Sequence, residues 1–515
     1  MKKLLSIILG STLLFSSCNS DYLDTVPEDS AGVDVIFENT QNAKLAVNGL
    51  SLLMCKQYLS KQGFNGEGTI KTFYGNYPGM DFQKSNLTGW SNTINGTYKE
   101  NNTSRYDYYP WYYYYKLIGN ANAIICRIDD AQGPEKEKKE IKAQALTFRA
   151  YSYLMLSQLY SRRWVDSNNG ASRGLPLRVD LSTGDLEASS LKEVYDLIYK
   201  DLDEAIACFK DSEYERRPED NFIPDIHVAY AVYARAALTK NDWSKAAEYA
   251  PLAREGFPLM SAQEYMNGGF HSPNEEWIWS IYNEEDQTIF YYSFFAYQGS
   301  NSNGSACRNY PCAISKELYD LIPETDVRKE MFAAPLAGEE FSTKSGQAGK
   351  KMTSRVKEQY GEKLYKTSKV FAYMQFKFQN KANPGVGHVN NFRSAEMYLI
   401  EAEAKCHLGG KDAEVQNLLV SLNKNLNPEY TCSKTGDALL EEVKLYRRID
   451  LWGEGFDWFD LKRWKQPIVR KTYADGGSFH PVFAVTIQPE DCNDWTWVYP
   501  AKETDFNDSI DSAFE

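Results

Sequence analysis

The sequence predicts a mainly α fold in which helix pairs of the tetratricopeptide kind form an α–α superhelical scaffold, with a loop-rich irregular half and a few short strands. Three observations carry that expectation. Apolar residues recur every three or four positions over residues 141–159 and 194–209, as on one face of a helix. Residues 228–250 and 396–426 each read as helix, short polar turn and helix, with small residues where two helices would cross. Long stretches between them follow no period and are rich in Gly, Asn, Thr and Tyr.

At the N-terminus, Met1, Lys2 and Lys3 precede an apolar run, residues 4–15, that stops at Ser16, Ser17 and Cys18. Two lysines, a short apolar segment and small residues before a cysteine describe a secretory signal peptide of the lipoprotein kind, residues 1–17. The run is too short to span a membrane, which takes about 20 apolar residues. Cleavage before Cys18 leaves a body anchored by lipid on that cysteine, with residues 18–38 as a polar tether. The alternative is an ordinary cleaved signal in which Cys18 is a plain residue, since Phe15 stands where a lipobox usually has Leu.

A first helix is expected near Thr40, with Ala43, Val47, Leu50 and Met54 at helical spacing. The long helix over residues 141–159 shows Ile141, Ala145, Phe148, Ser152, Met155 and Leu159 on one side. In the pair at 228–250, Val228, Ala234 and Leu238 lead through Lys240, Asn241 and Asp242 to Trp243, Ala246 and Ala250. Trp277 and Trp279 flank Ile278 in an alternating run that reads as a strand. Gly409 and Gly410 divide the last pair. Residues 64–109, 282–312 and 472–494 are expected to be long functional loops.

The chain carries 57 Lys and Arg against 70 Asp and Glu, a net charge of −13 that loss of Lys2 and Lys3 makes more acidic. That balance argues against nucleic acid, whose backbone demands a basic surface. The 36 Tyr and 11 Trp exceed what a core needs and suggest flat contact surfaces for sugars or peptides. Enzyme motifs are missing: the five His have no ligand spacing, and there is no Gly-x-Ser-x-Gly elbow or phosphate-cradling loop. No cofactor or metal is expected. Residues 166–170 carry oxygen ligands at alternate positions but lack the sixth-position Gly and twelfth-position Glu of a calcium loop, so they read as a turn. Of the nine cysteines, only Cys307 and Cys312 are spaced to close a small disulfide ring.

The C-terminal half carries Arg447-Arg448-Ile449-Asp450-Leu451-Trp452-Gly453-Glu454-Gly455-Phe456-Asp457-Trp458-Phe459-Asp460-Leu461-Lys462-Arg463-Trp464. This segment closely resembles the hallmark of the SusD/RagB family, outer-membrane lipoproteins of Bacteroidetes that capture nutrients beside a TonB-dependent transporter. Further matches run in the family's order. They are Trp111, Tyr115, Ile118, Ala121 and Asn122; Ala145, Arg149 and Ala150; Gly174 to Leu177; Arg393 to Ala404; and Trp497 to Glu503. Tyr499 stands where the closing motif usually has Ile. The resemblance implies a single domain over residues 39–515, with an N-terminal part at about 39–260 and a C-terminal part at about 270–515. It also implies no catalysis, and ligand capture for a SusC-like TonB-dependent transporter in the outer membrane, facing the cell exterior.

In that family, ligand contacts come from the loop before the first conserved helix and from the irregular segment between the motif regions. Tyr74, Tyr77, Trp90 and Tyr106 lie in the first of these without a set of residues to bury them. Ring faces of Tyr74, Trp90, Tyr291 or Tyr292 are expected to stack on a sugar, and Asp81, Asn301 and Arg308 to bind its hydroxyls. The cargo read from the sequence is an oligosaccharide. A peptide or other nutrient is the first alternative, and a scaffold or lid for the transporter without ligand affinity is the second.

Overall fold

A computed structural model describes residues 33–59, 64–285 and 292–510. The signal peptide, Cys18, most of the tether and Tyr291 lie outside the described residues. Ten helices carry the scaffold: α1 Thr40–Leu53, α2 Arg105–Arg127, α3 Glu135–Tyr160, α4 Leu191–Ser212, α5 Ile226–Thr239, α6 Trp243–Ala253, α7 Ser394–Leu408, α8 Asp412–Asn423, α9 Gly436–Asp450 and α10 Asp457–Trp464. Five of them start on a capping side chain. Asn39 caps α1 through Asn42 N–H at 2.9 Å, Asp225 caps α5 through Val228 N–H at 3.0 Å, and Ser190 with Glu193 forms a capping box on α4.

Each helix packs on the next from α2 to α7, and α7 also packs on α8 and α9. The α6–α7 contact is made although residues 254–393 lie between them in the chain. Small residues permit the close crossings: Ala229, Ala234, Ala246, Ala250, Ala402 and Ala404 are all at most 1 % exposed. The mainly helical class expected from the sequence is the one observed.

Residues 254–393 supply five of the described strands. β1 Phe82–Lys84, β3 Cys312–Ile314, β5 Met374–Gln375 and β4 Phe332–Ala333 form one antiparallel sheet in that order, and β2 Trp277–Ile281 pairs with β6 Val389–Arg393. Trp277 and Trp279 do lie on a strand, and both are interior. Among the described residues no helix is long and apolar enough to cross a membrane. Cys307 and Cys312 are buried free thiols and form no ring. The Cys307 thiol instead points at Ala296 O, 3.0 Å away.

The hallmark segment is a set of internal ionic staples. Arg393 bonds Glu276 at 2.8 Å, Glu454 at 2.9 and 2.8 Å, and Asp450. Arg328 reaches Asp450 Oδ2 at 2.8 Å, and Lys377 reaches Glu454 Oε1 at 2.7 Å. These six side chains are at most 5 % exposed, so the strand pair, the end of α9 and the following turn are tied by charges that water does not screen. A second staple joins α7 to α10, where Glu403 accepts from Arg463 Nη2 at 2.8 Å and from Trp464 Nε1 at 2.8 Å.

Glu403 gives the fold an acid limit. Burial pushes its carboxyl up, but the Arg463 guanidinium and the indole N–H more than offset that and hold it down to about 2. A carboxyl depressed in the folded state adds stability that is complete above its unfolded pKa and is lost as pH falls through the folded one. Wild type should therefore lose stability between about pH 5 and pH 2. Urea titrations of wild type and Glu403→Gln across this range should converge at the acid end. A constant gap between them would exclude this carboxyl as the source.

Candidate ligand-binding site

Residues 64–109, expected as a loop, are folded and largely interior. They contain a helical turn at Gly66–Thr69, a π-helical turn at Ile70–Asn76, strand β1 and the turns Thr88–Trp90, Ser91–Ile94 and Thr97–Glu100. The segment reads as a loop because each piece is too short to show a period, and its rings are buried by contacts remote in sequence.

Three expected ligand residues are consequently structural. Pro110 lies inside α2 and has no N–H to offer Tyr106 O; Tyr74, 1 % exposed, donates its hydroxyl to that carbonyl at 2.6 Å. Tyr77, 1 % exposed, packs its ring between Phe73 and Phe82 at 5.4 and 5.9 Å. Asp81, 3 % exposed, accepts a bidentate pair from Arg448 at 2.7 and 2.8 Å, and its carbonyl accepts Trp452 Nε1 at 2.8 Å. All three are interior rather than presented to a ligand, and Asp81 clamps this segment to the hallmark.

The remaining rings converge at the surface. Trp90, half-buried, stands edge-on to Phe73 at 5.6 Å and 5.7 Å from Tyr297. Tyr106, half-buried, lies parallel to Tyr98 at 4.6 Å and 5°, with Phe73 6.1 Å behind it. Tyr292 is 6.5 Å from Tyr297. Trp90, Tyr98, Tyr106 and Tyr292 are thus partly exposed rings around a buried base of Phe73 and Tyr297. Burial raises the Tyr106 phenol above its ordinary value, so it stays neutral and presents a hydroxyl rather than a charge.

Tyr98 was absent from the residues singled out in the sequence, although it lies in the same Gly/Asn/Thr context as Trp90. Tyr297 could not be found that way, since only its contacts with Phe73, Trp90 and Tyr292 mark it. The polar candidates are placed differently. Asn301 is locked to the Asn380 backbone, donating at 2.9 Å and accepting at 2.7 Å. Arg308 spends its Nε on Asn303 O at 2.7 Å. Among the described residues neither shares a hydrogen bond or cation–π contact with the platform rings. The arrangement can do what flat, neutral, pre-packed rings do: bury a ring or side-chain face at low entropic cost.

Known proteins share this architecture. The chain is 24 % identical to a SusD-like carbohydrate binding protein from Bacteroides vulgatus, with a TM-score of 0.74 over 92 % of this chain and 98 % of that one. A SusD superfamily protein from the same species is 22 % identical with a TM-score of 0.73, again over 92 % and 98 %. A SusD-like protein of Formosa agariphila is 23 % identical over 496 residues, 89 % of this chain and 90 % of the relative. Residues 21–238 match a family described as starch-binding associating with outer membrane. With residues 236–505 matching the SusD family model, and the helical scaffold and hallmark staples in place, the chain belongs to the SusD family.

Proposed function

We propose that this protein is a lipid-anchored surface protein of the outer membrane that captures oligosaccharide on the Trp90 platform and passes it to a SusC-like TonB-dependent transporter. The observation that carries the reading is the cluster of partly exposed rings on a buried aromatic base. The family's description as starch-binding and outer-membrane-associated supports the cargo and the location. The role is binding and not catalysis: a sugar laid on neutral rings meets no nucleophile or acid–base pair among them.

Isothermal calorimetry against neutral glycans, charged glycans and short peptides tests the cargo. Trp90→Ala should weaken the cognate glycan by about 1–3 kcal/mol, as a hot-spot aromatic does, with the melting temperature little changed. Affinity for a neutral glycan should also be insensitive to salt, since no charges are screened. Binding of peptides alone would transfer the same architecture to peptide uptake. Binding of neither, with only the transporter co-purifying, would leave a scaffold role.

The anchor is tested separately. Cys18→Ser should abolish fatty-acid incorporation and release the protein from the membrane fraction. Labelling that persists in the variant would refute lipidation at Cys18.

A further inference from the structure

Helix α2 carries a second set of rings that the Trp90 platform does not use. Tyr108, Tyr112 and Tyr115 fall at i, i+4 and i+7, and at about 100° per residue Tyr108 lies about 200° around the helix from Tyr106. One run of tyrosines is thus divided by helix geometry: Tyr109, Tyr113 and Tyr114 enter the core, Tyr106 faces the platform, and these three face away from it. They line an open cleft of about 510 Å³, within the roughly 300–1,000 Å³ of small-molecule sites. The Tyr108 and Tyr112 rings stand 5.6 Å apart at 45°, a curved wall rather than a flat one.

The cleft is built, not incidental. Its floor is Trp111, 2 % exposed, whose indole N–H donates to Glu503 Oε2 at 3.1 Å. Its far wall, residues 178–183, is held by Asn122, 1 % exposed, which donates to Arg178 O at 3.0 Å and to Asp180 O at 3.1 Å. Asn122 is itself fixed by Arg149 Nη1 at 2.9 Å, and Arg149 by a bidentate Asp201 at 2.7 and 2.7 Å. A wall locked through a buried charge pair needs little ordering when a ligand enters.

Its polar groups are of both signs. Lys116, Arg178 and Lys502 face Asp180 and Glu503, with Arg178 and Glu503 3.8 Å apart. A phosphate or polyanion meets two carboxylates there, and a cation meets three basic groups. A neutral ligand rich in hydroxyls, each both donor and acceptor, uses both kinds. We propose that this cleft is a second saccharide site, taking a neutral oligosaccharide independently of the platform. The inference rests on the saccharide reading above and extends it: two sites on one chain raise the apparent affinity for a long glycan that reaches both.

Calorimetric stoichiometry with short neutral oligosaccharides, on the full chain, decides it. Gly119 lines the cleft, and a Cβ there meets nothing within 4 Å, so Gly119→Leu fills the space without disturbing the core. Wild type should bind at two sites, Trp90→Ala at one unchanged and one weakened site, and Trp90→Ala/Gly119→Leu at the weakened site alone. Tyr112→Ala should weaken the second site at least tenfold. If Trp90→Ala alone abolishes binding, the second site is refuted and the platform stands. If Gly119→Leu abolishes binding and Trp90→Ala has no effect, the platform is refuted and the cleft stands. A wild type that binds no saccharide refutes both.

Discussion

Arg393→Met should destabilise the protein by about 3–5 kcal/mol, the range for breaking a buried ion pair by removing one partner. Arg393 is 2 % exposed and is the shared counter-ion of Glu276, Asp450 and Glu454. The methionine fills much of the volume but leaves Asp450 to Arg328 and Glu454 to Lys377, with Glu276 holding only backbone N–H donors among the described residues. Burial raises Glu276, while Arg393 chiefly opposes it, so this carboxyl would take up a proton in the variant. Urea denaturation should show a lower midpoint whose deficit grows as pH rises from 5 to 8. A loss below about 1 kcal/mol would mean that the staple only positions the chain.

Gly455→Ala should cost a similar amount for a different reason. Its φ is +95°, outside the range L side chains favour, and an added Cβ would lie 2.8 Å from both Cα and Cβ of Lys71. On the other side of the same contact, a Cβ on Gly75 would lie 2.1 Å from Gly455 O. Left-handed strain and overpacking each contribute about 1–3 kcal/mol, so the total is about 2–6 kcal/mol. Thermal unfolding monitored by circular dichroism measures it. Because the displaced turn packs against the π-helical segment that carries Phe73, the base of the platform, glycan affinity should fall with stability in Gly455→Ala. In Trp90→Ala it should fall without it. Wild-type stability in Gly455→Ala would show that the two turns separate readily.

The two variants act where the sequence signal and the three-dimensional role diverge. The hallmark segment, residues 447–464, is the most recognisable stretch of the chain, yet its charges point inward. Arg447 reaches Asp460 at 2.7 Å, Arg448 reaches Asp81 at 2.7 Å, and Arg463 reaches Glu403. What makes the family legible is therefore the fold's internal wiring. The ligand face is less so, because rings that only need to be flat and partly exposed tolerate many sequences around them.

By itself the sequence determined the helical scaffold. The 3.6-residue period of 141–159, 194–209 and 228–250, with the capping residues of the last two, is local information, and local hydrogen bonding makes a helix from it. It also determined that Trp277 and Trp279 share a strand and that residues 166–170 make a turn, since alternation and turn chemistry are equally local.

Only the tertiary structure decided which aromatics are free. Tyr74 and Trp90 sit in similar Gly- and Asn-rich company. Tyr74 is buried because Pro110 leaves a carbonyl for it and Trp497 covers its ring at 5.1 Å, whereas Trp90 keeps a face open above Phe73. Those partners lie from 17 to more than 400 residues away in the chain. A side chain's exposure depends on what other segments bring to it, and no period in its own neighbourhood records that. The same holds for α6 against α7 and for Asp81 under Arg448.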